Sequence, residues 1–154
     1  MKKIFTIPLL IFYVCLFQYS FAQNDTIQIK YEEVTIGCLI GRTCHECIIT
    51  NEADYKTLLK ERSPHNDCAN YELPYIDFNT FTLIGNTIAT SGCKSPEINK
   101  EIVKISKEKK YILKVNIKQN GRCQALFSKR FWIIIPKIES DYTIEFGEIK
   151  SDQK

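Results

Sequence analysis

Seven cysteines in a chain of 154 residues constrain this sequence more than any other feature. Their number and compartment decide whether the fold is stapled covalently. The compartment comes first. Met1-Lys2-Lys3 opens the chain, an apolar run follows from Ile4 to Phe17, and small residues stand at Ser20 and Ala22. A basic start, an apolar stretch and small residues just before a cleavage point are the marks of a secretory signal peptide. Residues 1–22 are read as that leader, with Gln23 as the new N-terminus. An uncleaved anchor is the weaker reading, because a span needs ~20 apolar residues and this run is shorter. Cys15 is not read as a lipid-attachment site, since Tyr13-Val14 stand where small residues would be needed.

Removal of the leader takes Cys15 with it. Residues 23–154 then hold six cysteines: Cys38, Cys44, Cys47, Cys68, Cys93 and Cys123. An even number in an exported chain fits three disulfides, whose 15 possible pairings the sequence does not choose among. One pair is favoured: Cys93 follows the strand expected at Thr80–Thr90, and Cys123 opens a later strand. Cys68 is expected to reach back across a helix to Cys44 or Cys47, leaving Cys38 for the remaining partner.

The rest of the composition bounds the function. With 25% charged and 44% hydrophobic residues, the chain is neither wholly disordered nor a multi-span membrane protein. The formal charge of +3 is too mild for a nucleic-acid binder. No further apolar run has membrane length, so no membrane span is expected in residues 23–154.

Local patterns give the expected elements. Thr26–Ile36 alternates as a strand ending near Cys38, and Cys47–Thr50 reads as a short strand. Asn51 stands as an N-cap, with Glu52 and Asp54 in the first turn, where acids suit the helix dipole. Tyr55, Leu58 and Leu59 form one apolar face, and Ser63-Pro64 is a stop, predicting a helix over Glu52–Arg62. Thr80–Thr90 is apolar on both faces, as in a strand covered on both sides. Ser91–Pro96 reads as a turn-rich loop, and Lys107–Lys110 as a hairpin between Glu101–Ser106 and Tyr111–Lys118. Asn120-Gly121 is a strong hairpin signal, leading into Arg122–Phe127. Phe131–Ile135 is a buried strand, Tyr142–Phe146 a last one, and 149–154 a polar tail. The expected fold is one α+β domain over 23–154. It has seven to eight mostly antiparallel strands, in a sheet or partly closed barrel with one packed helix.

Chemistry is sparse. Cys44-His45-Glu46-Cys47 has dithiol spacing, and Arg42 and His45 would lower a thiol pKa, but no βαβ pattern surrounds it. Zinc held by Cys38, Cys44, Cys47 and His45 is disfavoured, because no second Cys/His pair follows at finger spacing. His65 is the other histidine, in a polar loop. Glu32, Glu33 and Asp77 have no partner that spacing justifies. No catalytic, metal or cofactor residue is therefore assigned. Binding is the default, with Ser91, Gly92, Lys94 and Ser95, pinned by Cys93, as the candidate binding loop.

At Leu73-Pro74-Tyr75-Ile76-Asp77-Phe78 the chain resembles the C-terminal domain of PrcB-like protease-complex subunits, over about Ile48 to Phe146. In that family a helix precedes a Leu-Pro-x-Ile-Asp-Phe segment. A strand, a Gly-Gly loop, two long strands and a strand after a Pro-Lys-like step follow. Here Ser91-Gly92 stands in place of the Gly-Gly pair, with Cys93 next, and Pro136-Lys137 is the late step. The resemblance implies an exported bacterial accessory protein that associates with a protease or stabilises one, with Asp77 capping a turn. The alternatives are a protease inhibitor presenting Ser91–Pro96 and a thiol-disulfide oxidoreductase using Cys44 and Cys47.

Overall fold

In a computed structural model, residues 25–36, 45–60 and 72–153 are described. They form six strands and one helix: β1 (Thr26–Ile29), β2 (Glu32–Val34), β3 (Glu46–Ile49), α1 (Glu52–Lys60), β4 (Phe81–Ile105), β5 (Lys110–Pro136) and β6 (Thr143–Gln153). The sheet is mixed and does not close: β1-β4-β5-β2 run in order, β3 adds to β4, and β6 pairs with β5 in parallel.

Two long strands replace five of the expected ones. β4 and β5 are joined by the four-residue turn 106–109, the hairpin expected there. Lys109 N–H donates to Ser106 O at 3.2 Å, and Lys109 has φ 49°. From the turn the ladder runs from Ile105↔Lys110 to Phe81↔Pro136.

This ribbon doubles back on itself. Extended, β5 would measure about 85 Å. Yet residues 137–142, which reach about 25 Å at most, carry the chain from Pro136 to Thr143, which pairs with Lys110 at the start of β5. The core shows the same folding. Ile84, Ile88, Ile133 and Ile135 from the half of the ribbon away from the turn share one buried cluster with Ile102, Leu113, Val115 and Ile117 from the half near it. The opposite face of the first half carries Leu83 and Trp132, packed with Ile36, Ile49, Tyr55 and Ile76. Layers therefore lie on both sides of it, as the apolar residues on both faces of Thr80–Thr90 required.

The remaining elements brace the two halves. β1 pairs with Ile102–Ile105 and β2 with Trp132–Ile134, so the expected strand Thr26–Ile36 breaks at 30–31 to serve both. Tyr31 Oη donates to Lys100 O at 3.2 Å. The buried Lys100 ammonium contacts Glu33 at 2.6 Å and lies 4.9 Å from the Phe131 ring centroid. β6 continues to Gln153, where a polar tail was expected.

The N-cap is as expected. Asn51 Oδ1 accepts the Asp54 N–H at 2.9 Å, and Asn51 Nδ2 donates to Asp54 Oδ2 at 2.7 Å. Asn51→Ala is expected to lower stability by about 1 kcal/mol, measured by urea unfolding. α1 is described to Lys60; Glu61 and Arg62 lie outside the described residues. Asp77 caps a turn: its carboxylate accepts the Asn79 N–H at 3.0 Å and the Thr80 hydroxyl at 2.7 Å. These bonds hold its pKa below the ordinary 3.8, the Thr80 hydroxyl contributing most. The stabilisation is present above the unfolded pKa and fades as pH falls through the folded one. The stability gap between wild type and Asp77→Ala is expected to narrow from pH 7 to pH 3, read by denaturant midpoints.

Two expectations are corrected. Asn120-Gly121 makes no hairpin, because β5 continues through it, and Ser91–Pro96 is no free loop, because β4 does the same. The turn-forming residues are used for a bulge instead. Gly121 has φ 81°, within reach of glycine but strained for other residues. The register passes from Gly92↔Ala125 to Lys94↔Asn120 and then to Glu97↔Lys118. Residues 121–124 of β5 thus face Cys93 alone, and the ribbon bends there.

Candidate functional site

The bend is where the candidate residues lie. Cys93 and Cys123 are joined by a disulfide with a Cα–Cα distance of 4.6 Å, as the favoured pairing required. The bridge occupies the stretch where ladder pairing is interrupted, so a covalent link stands in for missing backbone bonds. Gly121 packs against it: a Cβ there would lie 2.6 Å from Cys93 Sγ. Polar contacts flank the bend. Gln119 Nε2 donates to Thr90 Oγ1 at 2.7 Å, Lys129 Nζ to Pro96 O at 3.1 Å, and Arg130 Nε to Thr87 Oγ1 at 2.9 Å. Burial holds the Arg130 guanidinium pKa below its ordinary value.

Exposure at the bend does not alternate as it does in a packed strand. Cys93, Lys94 and Ser95 on β4 and residues 123–126 on β5 are exposed in succession, so neither face of the ribbon is covered there. Ser91 is also exposed, whereas Gly92 is buried. Ser91 pairs with Leu126, whose side chain is 86% exposed. Leu126 was missed from sequence because it was placed inside a post-hairpin strand, where alternation would have buried every second residue.

A second feature had no sequence signal. A cleft of about 570 Å³ opens between Ile48 and Thr50, at β3 and just after it, and the segment from Lys137 to Ile144. Its apolar wall joins the core through Ile138, Tyr142 and Ile144. Its charges are engaged locally. Lys137 Nζ donates to Thr50 O at 2.7 Å and Phe78 O at 2.8 Å. Glu139 Oε1 accepts from Lys104 Nζ at 2.6 Å, a contact that raises the Lys104 pKa. The Lys104 ammonium also lies 4.4 Å from the Tyr142 ring centroid. The cleft unites residues far apart in the chain, which periodicity cannot do.

The cysteine-rich segment is only partly described. Cys47 lies on β3 and is disulfide-bonded. It sits within a strand, not at a helix N-terminus, where a low-pKa thiol would be favoured. His45 is exposed, and its carbonyl accepts the Thr87 N–H at 3.0 Å. Cys38, Cys44, Cys68 and His65 lie outside the described residues, and with them the expected pairings of Cys38 and Cys68. Among the described residues no three His, Cys, Asp or Glu side chains gather in a group able to hold a metal ion. No family model, curated protein or solved structure matches the chain.

Proposed function

We propose that this chain is an exported, non-catalytic binding or accessory module that meets a protein partner at the bend of its β-ribbon. The observation that carries the reading is the run of exposed residues on both strands at a covalently braced position. A braced surface binds with less ordering cost than a mobile loop. A secreted or periplasmic location is supported by the leader pattern of residues 1–22 and by the disulfide, a bond that persists in oxidising compartments. Among the described residues no helix is long and apolar enough to cross a membrane. That the partner is a protease rests on the resemblance around Leu73–Phe78. Pull-down from the native exported fraction tests it, and recovery of no protease would sink the protease-associated form of the reading.

One observation favours the inhibitor reading. Lys94 stands exposed in extended backbone beside the anchored Cys93, and an extended, preorganised segment suits a protease cleft. Titration of a lysine-specific protease decides it. Blocking or slow cleavage that disappears when residues 92–95 are replaced supports inhibition, and ordinary rapid cleavage refutes it. The oxidoreductase reading requires a readily reduced Cys44–Cys47 pair. Alkylation mass spectrometry in mild reductant would dismiss it by finding all six cysteines of residues 23–154 blocked.

A further inference from the structure

The ribbon bend also carries a net basic charge. Residues 91–97 and 118–130 contain Lys94, Lys118, Arg122, Lys129 and Arg130 against the single acid Glu97. Five bases against one acid, Glu97 being paired with Lys118 at 3.1 Å, give +4 locally, whereas residues 23–154 total +1, so the remainder of them is net acidic by three charges. The charge is therefore segregated, although the total is small. Among these charges Leu126 is 86% exposed, with Ala125 and Gln124 exposed beside it.

We propose that the bend docks on an acidic surface of a partner protein, with Leu126 as the anchor in an apolar pocket of that surface. The inference rests on the binding-module reading and deepens it by stating the partner's chemistry. Complementary charge steers and orients the encounter, while a buried side chain near the centre of the contact holds it. An anionic lipid surface fits less well. Membrane-surface binding draws on a broad apolar face, and here one large apolar side chain stands among Ser91, Gln124 and Ala125. The disulfide links the two strands of this surface, so this side of the contact is preorganised.

The test uses the full chain with its disulfides formed and a phage-displayed library of random peptides as the probe. Selected peptides are expected to combine Asp and Glu with an apolar cluster. Their affinity should fall by about tenfold or more for Leu126→Asp and for Leu126→Ser, and fall again for Lys94→Glu. Their binding should weaken as salt rises. Both Leu126 variants should melt with wild type, since the side chain is exposed. Selection of neutral or basic peptides, or peptides indifferent to Leu126, would overturn this inference and leave the module reading standing. Failure to select any peptide would overturn both. Leu126-dependent capture by phosphatidylserine vesicles, without acidic peptides, would replace the protein partner with a membrane.

Discussion

Gly85→Ala is expected to destabilise the domain by about 1–3 kcal/mol, the usual cost of forcing a methyl group into a filled core. Gly85 pairs across the ladder with Trp132, whose ring lies over the glycine. An added Cβ would stand 2.6 Å from Trp132 Cε3 and 2.7 Å from Cη2. Trp132 is 4% exposed and packs with Leu83, Ile49, Tyr55, Ile76 and Ile36. Trp132→Ala should therefore cost about 3–5 kcal/mol. The two changes should not add, because the small side chain makes room for the methyl group. A double-mutant cycle by denaturant unfolding measures this. Additive losses would show that the ring does not exclude the methyl. Trp132→Phe should lose less than Trp132→Ala, since the buried indole Nε1 has no hydrogen-bond partner among the described residues.

Removal of the Cys93–Cys123 bridge is the second large effect. Its ends are 30 residues apart, and closing a loop of that length contributes about 3–4 kcal/mol. The double substitution to alanine should lower the melting temperature on the order of 10 °C. The two buried clusters lie away from the bridge, so cooperative unfolding should survive. Hydrogen exchange locates the change: protection should fall around 91–97 and 119–126 and hold at Ile84, Leu113 and Ile133. Uniform loss would mean that the bridge supports the whole fold and not the bend alone. Docking at the bend should weaken in the same variant.

What the sequence disclosed was local. The Asn51 cap, the start of α1 and the hairpin at 106–109 depend on neighbours within a few residues, and each was legible; the Asn79 and Thr80 partners of Asp77 are as local, but spacing did not single them out and only the resemblance pointed to a turn there. The pairing of Cys93 with Cys123 was legible too, from their places after and before expected strands, although both prove to lie inside β4 and β5. The errors came where tertiary pairing overrode a local signal. Asn120-Gly121 and Ser91–Pro96 have turn chemistry, but continuous pairing on either side made them a bulge. Strand breaks were overcounted for that reason. Ser91, Lys94 and Ser95 were singled out because the same small, turn-prone residues mark both loops and bulges, and they lie at the bulge; Leu126 and the Ile48–Tyr142 cleft had no such signal, since only the doubled ribbon brings them into view.

The pairing of β1 with β4 beside the turn and of β2 with β5 near the far end of the ribbon has a consequence for the order of assembly. The ribbon can zip outward from its four-residue turn, each pair closing a loop only slightly longer than the last, at small entropic expense. β1 can join once the turn end has zipped, since Thr26 pairs with Ile105, but β2 must wait for the far end, since Val34 pairs with Trp132. Such distant contacts place the chain among slow-folding topologies. β2, close to the N-terminus in sequence, is thus expected to be among the last strands to find its place.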